Sequence, residues 1–196
     1  MNRLIVAITL IAAAGFNASG QGVGTFEFMN VGVTPDRLIY LDNYDPSNPS
    51  APKPEGPGYQ IAVYFGPSGT TDENALVQVG ASTPFLTSAG AGQFNGGGRT
   101  IFGLSEDGGV VALQARAWDV STGTTWEQAF ANPAGRTGKG PVFEMKTKDP
   151  SDIFEPLPRL GYAPGFVGFA IAVPEPSTWA LAGLGVAGLF LLRRRR

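Results

Sequence analysis

Four carboxylates in the middle of the chain are of a type that could carry acid–base chemistry: Glu106, Asp107, Asp119 and Glu127. Hydrolysis of a glycosidic bond needs two carboxyl groups about 5–10 Å apart. Asp119 also follows Trp118, an aromatic residue that could stack on a sugar ring. The same acids are equally typical of turns and helix caps. We therefore predict no catalytic residue, and a secreted carbohydrate-active enzyme stays an alternative.

Two further groups of residues could bind a ligand. The oxygen ligands that suit Ca²⁺ cluster between positions 42 and 48, at Asp42, Asn43, Asp45 and Asn48. Their spacing does not match an EF-hand loop, so we predict no metal site. The aromatic residues that could stack on sugar rings are Tyr40, Tyr44, Tyr59, Trp118 and Trp126. Such residues more often lie in a core, and a sugar-binding module remains a second alternative.

The composition excludes several classes of function. The chain has no Cys and no His, which excludes disulfides, thiolate metal sites, cysteine nucleophiles and Ser-His-Asp triads. Gly96-Gly97-Gly98 is not followed by the Gly-Lys-Ser/Thr of a phosphate loop, so we expect a hairpin or flexible turn there. Residues 21–173 carry nine basic and 15 acidic residues, a net charge of −6. We therefore expect no cofactor and no nucleic-acid partner.

Short β-strands must position these residues, because apolar and polar residues alternate between positions 22 and 173. In residues 110–118, Val111 and Leu113 point to one face while Gln114 and Arg116 point to the other. Similar segments span 24–30, 37–42, 59–66, 75–80, 83–88, 99–104, 142–147 and 166–173. Glycine and proline turns separate them. The pattern predicts an all-β fold, an antiparallel β-sandwich of about eight or nine strands.

One short helix is expected within residues 124–132. Thr124 and Glu127 have the spacing of a capping box, and Trp126, Ala129 and Phe130 fall on one helical face. An amphipathic helix of this kind would lie over one sheet or over an open end of the sandwich.

The first 20 residues have the pattern of a secretory signal peptide. Arg3 precedes an apolar run from Leu4 to Gly15, and small residues follow at 18–20. We place the cleavage between Gly20 and Gln21, with Ser19 as a second candidate. The alternative is a buried core helix.

The opposite end has the composition of a membrane span. Residues 177–192 carry no charge, and a helix of this length would cover about 24 Å, slightly less than the roughly 30 Å hydrocarbon core. Arginines that flank a span stay on the cytoplasmic side. We therefore predict a single C-terminal transmembrane helix with a cytoplasmic anchor of Arg193, Arg194, Arg195 and Arg196. We expect this helix to stay in the membrane only until the tail is recognised. The alternative is a permanent membrane anchor.

Pro174 and Pro176 flank Glu175 just before this span, and prolines keep a backbone extended and outside a helix. The order of Pro-Glu-Pro, a short apolar span and an Arg cluster resembles the PEP-CTERM sorting signal. That resemblance implies that an integral-membrane exosortase recognises Pro174, Glu175 and Pro176, cleaves near them, and releases the protein or transfers it to the surface.

Together these features predict a signal peptide at 1–20, a β-sandwich ectodomain at 21–172 and a sorting signal at 173–196. We expect an exported, non-catalytic protein of the cell surface or extracellular matrix. Its expected partners are the export translocon, signal peptidase, an exosortase-type processing enzyme and, transiently, the membrane; an exopolysaccharide is a further candidate. The precursor is expected in the inner membrane and the processed protein at the cell surface or outside the cell.

Overall fold

A computed structural model describes residues 22–172 of the chain. These residues form ten strands and one short α-helix, which confirms the all-β prediction. No helix within residues 22–172 has the length and apolar character needed to cross a membrane. The predicted signal peptide and sorting signal both lie outside the described residues.

The elements follow one another along the chain with short connections. The strands are β1 (Gly22–Met29), β2 (Tyr40–Leu41), β3 (Gly56–Pro67), β4 (Val77–Gln78), β5 (Thr83–Phe85), β6 (Asn95–Leu104), β7 (Val110–Asp119), β8 (Thr137–Lys139), β9 (Phe143–Lys146) and β10 (Ala170–Ile171), and the helix is α1 (Trp126–Ala131). Strand β8 was not predicted, because Thr137-Gly138-Lys139 has no apolar alternation.

The largest sheet has the long strands β3 and β7 at its centre. They pair antiparallel from Tyr59 opposite Asp119 to Pro67 opposite Val111. Strands β4 and β5 pair with the outer side of β3, and β8 and β9 pair in succession with the outer side of β7. The strand β7 is therefore an inner strand with partners on both sides. A separate short pair, β2 and β10, is parallel, so the pairing is not antiparallel throughout.

The strands β1 and β6 form a second, antiparallel sheet that contains the glycine triplet. The prediction of a turn at this triplet is wrong, because Gly96, Gly97 and Gly98 lie inside β6. The register shifts there: Gly98 lies opposite Glu27, whereas Asn95 lies opposite Met29. Gly97 has φ +70°, which a glycine adopts without strain. The triplet therefore forms a β-bulge rather than a connection.

Side chains of the six-stranded sheet and of the β1–β6 sheet share one hydrophobic core. Buried side chains from both sheets belong to it, among them Phe26, Phe28, Ile61, Val63, Ile101 and Leu113. Phe94 is fully buried at its centre, and its ring centroid lies 4.8 Å from that of Phe28, 6.3 Å from Phe85 and 6.5 Å from Phe166.

Helix α1 packs on the other face of β3 and β7, which confirms that the helix lies over one sheet. Its Trp126 and Ala129 join Tyr64 and Trp118 in a second buried cluster. The predicted cap is one residue out of place: Thr125 is the N-cap and accepts a hydrogen bond from the Gln128 backbone N–H. Phe130 stacks on Trp126 with ring centroids 4.7 Å apart, as expected for one helical face, but it is 57% exposed and lies at the edge of the packed cluster.

Candidate functional site

The last described residues are held between two segments of the domain. The Tyr40 N–H donates to the Phe169 carbonyl and the Asp42 N–H to the Ile171 carbonyl, both at 2.9 Å. On the other side, Thr137 and Ala172 exchange two backbone hydrogen bonds of 3.1 Å. We call the two flanking segments, residues 40–42 and 136–138, the terminal clamp. It fixes the chain up to Ala172, two residues before Pro174.

Close backbone approach and burial maintain the clamp. Gly138 lies against β10, and a Cβ atom there would overlap the carbonyl oxygen of Ala170. The side chain of Ile171 is fully buried. The Arg136 guanidinium donates to the Asp42 carboxylate at 2.6 Å and so joins the two sides. Because the Asp42 side chain is 61% exposed, this ion pair contributes at most about 1 kcal/mol, and the backbone bonds and buried Ile171 matter more.

The side chains of Asp42, Asp45 and Asn48, in the oxygen-rich segment between positions 42 and 48, have protein hydrogen-bond partners, of which Arg136 is distant in the chain and the others are local. Asp42 accepts from Arg136, Asp45 accepts from both the backbone and the hydroxyl of Ser47, and Asn48 accepts from the Ser50 N–H. Over residues 22–172 no group of three or more acidic side chains comes together in a way that could hold a metal ion.

The carboxylates considered for catalysis have separate structural partners. Asp107 accepts the Val23 N–H at 2.7 Å and so ties the β6–β7 turn to β1. Asp119 accepts the backbone N–H and the hydroxyl of Ser121 at 2.9 and 2.6 Å, as the cap of a short 3₁₀ turn. Glu127 accepts the Tyr64 hydroxyl at 2.7 Å. Glu106 is exposed in the turn after β6. Asp107, Asp119 and Glu127 thus each stabilise a different local structure.

The most unusual buried group is Arg116, which the sequence placed on the polar face of β7 without indicating its burial. It is 6% exposed, and its guanidinium carbon lies 4.0 Å from the Tyr64 ring centroid and 4.6 Å from that of Trp126. Its nitrogens donate to the Gln114 side chain at 2.8 Å and to the Glu73 carbonyl at 2.6 Å. An arginine between two aromatic rings with satisfied donors fastens α1 to the sheet.

Contacts around Arg116 shift the pKa values of three ionisable side chains, Glu73, Glu127 and Tyr64. The hydrogen bond from Lys139 is the main cause that lowers the pKa of Glu73. Burial raises the pKa of Glu127, but hydrogen bonds, first of all from Tyr64, outweigh it and leave that pKa below its ordinary value. Burial, followed by the bond to Glu127, raises the pKa of Tyr64. A general acid at neutral pH needs a raised carboxyl pKa, so Glu127 has the opposite property.

The candidate sugar-stacking residues divide into buried and exposed ones. Tyr40, Trp118 and Trp126 are 1%, 1% and 8% exposed, so their ring faces belong to the interior. Tyr59 packs against the core while partly buried. Tyr44 is 41% exposed and contacts Tyr40 edge-to-face. The five residues therefore do not make one exposed aromatic surface.

The predicted signal cleavage, between Gly20 and Gln21, lies just before the described residues. Strand β1 begins at Gly22, which is buried, and it pairs with β6 along its length. A cut at this position would leave the whole of β1 in the product.

Residues 172–196 match the family model described as the PEP-CTERM protein-sorting motif. Searches among curated proteins and among solved structures found no match to the chain. The matched range begins at Ala172, the last described residue, which the terminal clamp holds through Thr137. The recognition made from the Pro-Glu-Pro segment, apolar span and Arg cluster is thereby confirmed. This chain carries a PEP-CTERM protein-sorting motif at residues 172–196, which implies export and sorting by an exosortase at the membrane.

Proposed function

We propose that residues 21–172 are the non-catalytic cargo of this sorting motif, a structural protein of the cell surface or extracellular matrix. The observation that carries the proposal is the sorting-motif match directly after the folded residues along the chain. Ala172, the last residue that the structure describes, is bonded to Thr137 of the domain, and the family match starts there. The folded body and the motif are thus consecutive along the chain.

The proposed route uses both ends of the sequence. Signal peptidase removes residues 1–20 after passage through the export translocon. Residues 177–192 then span the inner membrane, with the cluster from Arg193 to Arg196 in the cytoplasm. An exosortase acts near Pro174, Glu175 and Pro176, and the domain passes to the surface, with an exopolysaccharide as a candidate partner there. We take the two facing sheets to form a β-sandwich that survives this transfer intact.

The non-catalytic role is supported by the structural hydrogen bonds that the candidate catalytic carboxylates make. Asp107, Asp119 and Glu127 each make a structural hydrogen bond. The groove lined by Glu73, Val142 and Glu144 is shallow and open, and Glu144 is occupied there by Ser68 and the Gly69 N–H. A catalytic site instead places its acid and base in a pocket around the substrate.

The sorting proposal predicts that Glu175→Ala blocks processing. The substitution removes the charge between the two prolines, so the precursor should keep its full mass and stay in the membrane fraction. The measurement is the mass and location of the full chain in a host that has its exosortase and in one that lacks it. Glu155→Ala, which removes an exposed carboxylate from the domain, is the matched control and should be processed normally. Normal processing of Glu175→Ala would contradict the proposed recognition.

The non-catalytic proposal predicts that the exported protein turns over no polysaccharide. Wild-type protein and the double variant Asp119→Asn, Glu127→Gln should both match the buffer blank on a panel of glycans, measured by released reducing ends. Turnover by the wild type that is lost in the double variant would instead establish the carbohydrate-active enzyme.

A further inference from the structure

Strand β6 has an unpaired edge in the part of the chain that the structure describes. Along Gly98–Leu104 its β-sheet partner is β1, on one side. The opposite edge of β1 is covered, because Thr25 exchanges backbone bonds with Lys148 and the Glu27 N–H donates to the Pro158 carbonyl. The two edges of this small sheet therefore differ, and β6 provides the open one.

The hydrogen bonds of β1 show which residues of β6 face outward. Thr25 and Glu27 direct their backbone groups away from β6, so Gly24 and Phe26 must bond to it, since antiparallel residues alternate in direction. Gly24 and Phe26 lie opposite Ile101 and Arg99. The residues between and beside these, Gly98, Thr100 and Phe102, therefore point their N–H and C=O groups at the open edge.

This edge has few of the features that usually prevent strand pairing, and its one charged residue, Arg99, donates back to the Gly96, Gly98 and Ala81 carbonyls of its own chain. Residues 100–105 contain no charge and no proline, and Phe102 is 72% exposed. Proteins commonly protect an edge with lysine, proline or an inward charge. Gly103, at φ +80°, bends the strand after Phe102. The part suited to pairing is therefore Gly98–Phe102, which we call the β6 edge.

We propose that the β6 edge binds the same edge of a second copy of this chain, antiparallel and about a two-fold axis at Thr100. Thr100 then lies opposite Thr100 of the second copy, a favourable cross-strand pair. Phe102 lies opposite Gly98, where the space around the missing Cβ is open to 4 Å, so the exposed ring covers a glycine. The Gly98 carbonyl already accepts from Arg99 at 3.2 Å and has a second lone pair for the new bond.

The arrangement explains why the occupant is a second copy rather than an unrelated strand. The edge is self-complementary in this register: each large ring meets a residue without a side chain. Each Arg99 lies opposite Ile101 of the other copy and stays bonded to the Gly96 and Ala81 carbonyls of its own chain. The two small sheets join into one sheet of the order β1-β6-β6-β1, and both copies keep their outer β1 edges covered.

A single cysteine tests this register, because the chain has no cysteine of its own. Opposite residues of a hydrogen-bonded antiparallel pair have Cα atoms about 5.5 Å apart, within disulfide range. Full-length Thr100→Cys, exported by its host and oxidised on intact cells, should run as a reducible dimer on a non-reducing gel. Val110→Cys is the control: residue 110 is 43% exposed, but its strand β7 has partners on both sides. If Thr100→Cys formed no more disulfide-linked dimer than Val110→Cys, the proposal would be overturned.

Charged substitutions of either sign at Thr100 give a second, independent test that does not depend on oxidation. Full chains with two different epitope tags are co-expressed, and one tag is used to capture the other. Wild type should be captured by wild type, whereas Thr100→Lys with itself and Thr100→Glu with itself should lose capture through like-charge repulsion at the axis. Thr100→Lys with Thr100→Glu should restore it. Failure of the mixed pair to recover, or capture unaffected by either charge, would refute the two-fold register at Thr100.

Discussion

Replacing Phe94 with alanine is expected to lower the free energy of unfolding by about 3–5 kcal/mol. Phe94 is fully buried between the two sheets and contacts Phe28, Phe85 and Phe166. Its removal takes away apolar burial and leaves a cavity that the facing strands cannot close. Domains of this size have a total stability of about 5–15 kcal/mol, so most of the margin would be lost. Urea denaturation, followed by the fluorescence of buried Trp118 and Trp126, measures the change.

Phe102→Ala is the matched control for this loss. It makes the same chemical change in the next strand, but its ring is 72% exposed, so the stability of a single copy should change by less than about 0.5 kcal/mol. If both variants lowered the free energy of unfolding equally, burial of Phe94 in the core shared by the two sheets would not explain its contribution to stability.

Replacing Gly138 with valine is expected to open the terminal clamp. The new side chain would overlap the Ala170 carbonyl, so β10 must move away from β8 and Ile171 must lose burial. Overpacking of this kind, with exposure of one buried aliphatic side chain, should cost about 2–3 kcal/mol. Hydrogen exchange provides the local measurement: the amides of Tyr40, Asp42 and Thr137, which bond to residues 169–172, should lose protection.

Gly58→Val controls for the added side chain itself. Gly58 lies in a strand with no atom within 4 Å of the position a Cβ would take, so the same three amides should keep their protection. If Gly138→Val also preserved them, the clamp would not be what fixes the chain before the sorting motif.

Local patterns predicted much of the scaffold. The alternation in residues 110–118 correctly assigned Val111 and Leu113 to one face of β7 and Trp118 to the other, because a strand repeats every two residues. The aromatic face of α1 was likewise visible, and the helix does pack on a sheet. The cap was misplaced by one residue because Thr124 and Thr125 are both good N-caps and the sequence offers Glu127 and Gln128 as partners for them.

Features that depend on distant partners were not predictable. The polar face of β7 gave no sign that Arg116 is buried, since its burial comes from Trp126 on a helix that folds back over the strand. Strand β8 exists because it pairs with β7, and Gly138 allows β10 to approach it closely, whereas its own three residues have no strand pattern. The glycine triplet reads as a turn on its own, and only the pairing with β1 makes it a bulge.

The sequence by itself determined that this chain carries a sorting motif, because such a motif is recognised as a continuous stretch whose composition and order are its signal. It also determined the β class, through a periodicity that each strand carries locally. The tertiary structure alone decided that Asp107 serves as a tie and Asp119 as a cap, that Ala172 bonds to Thr137 more than 30 residues away in the chain, and that β6 keeps an open edge among the described residues. Those properties depend on which strands become neighbours, and no short segment of sequence contains that information.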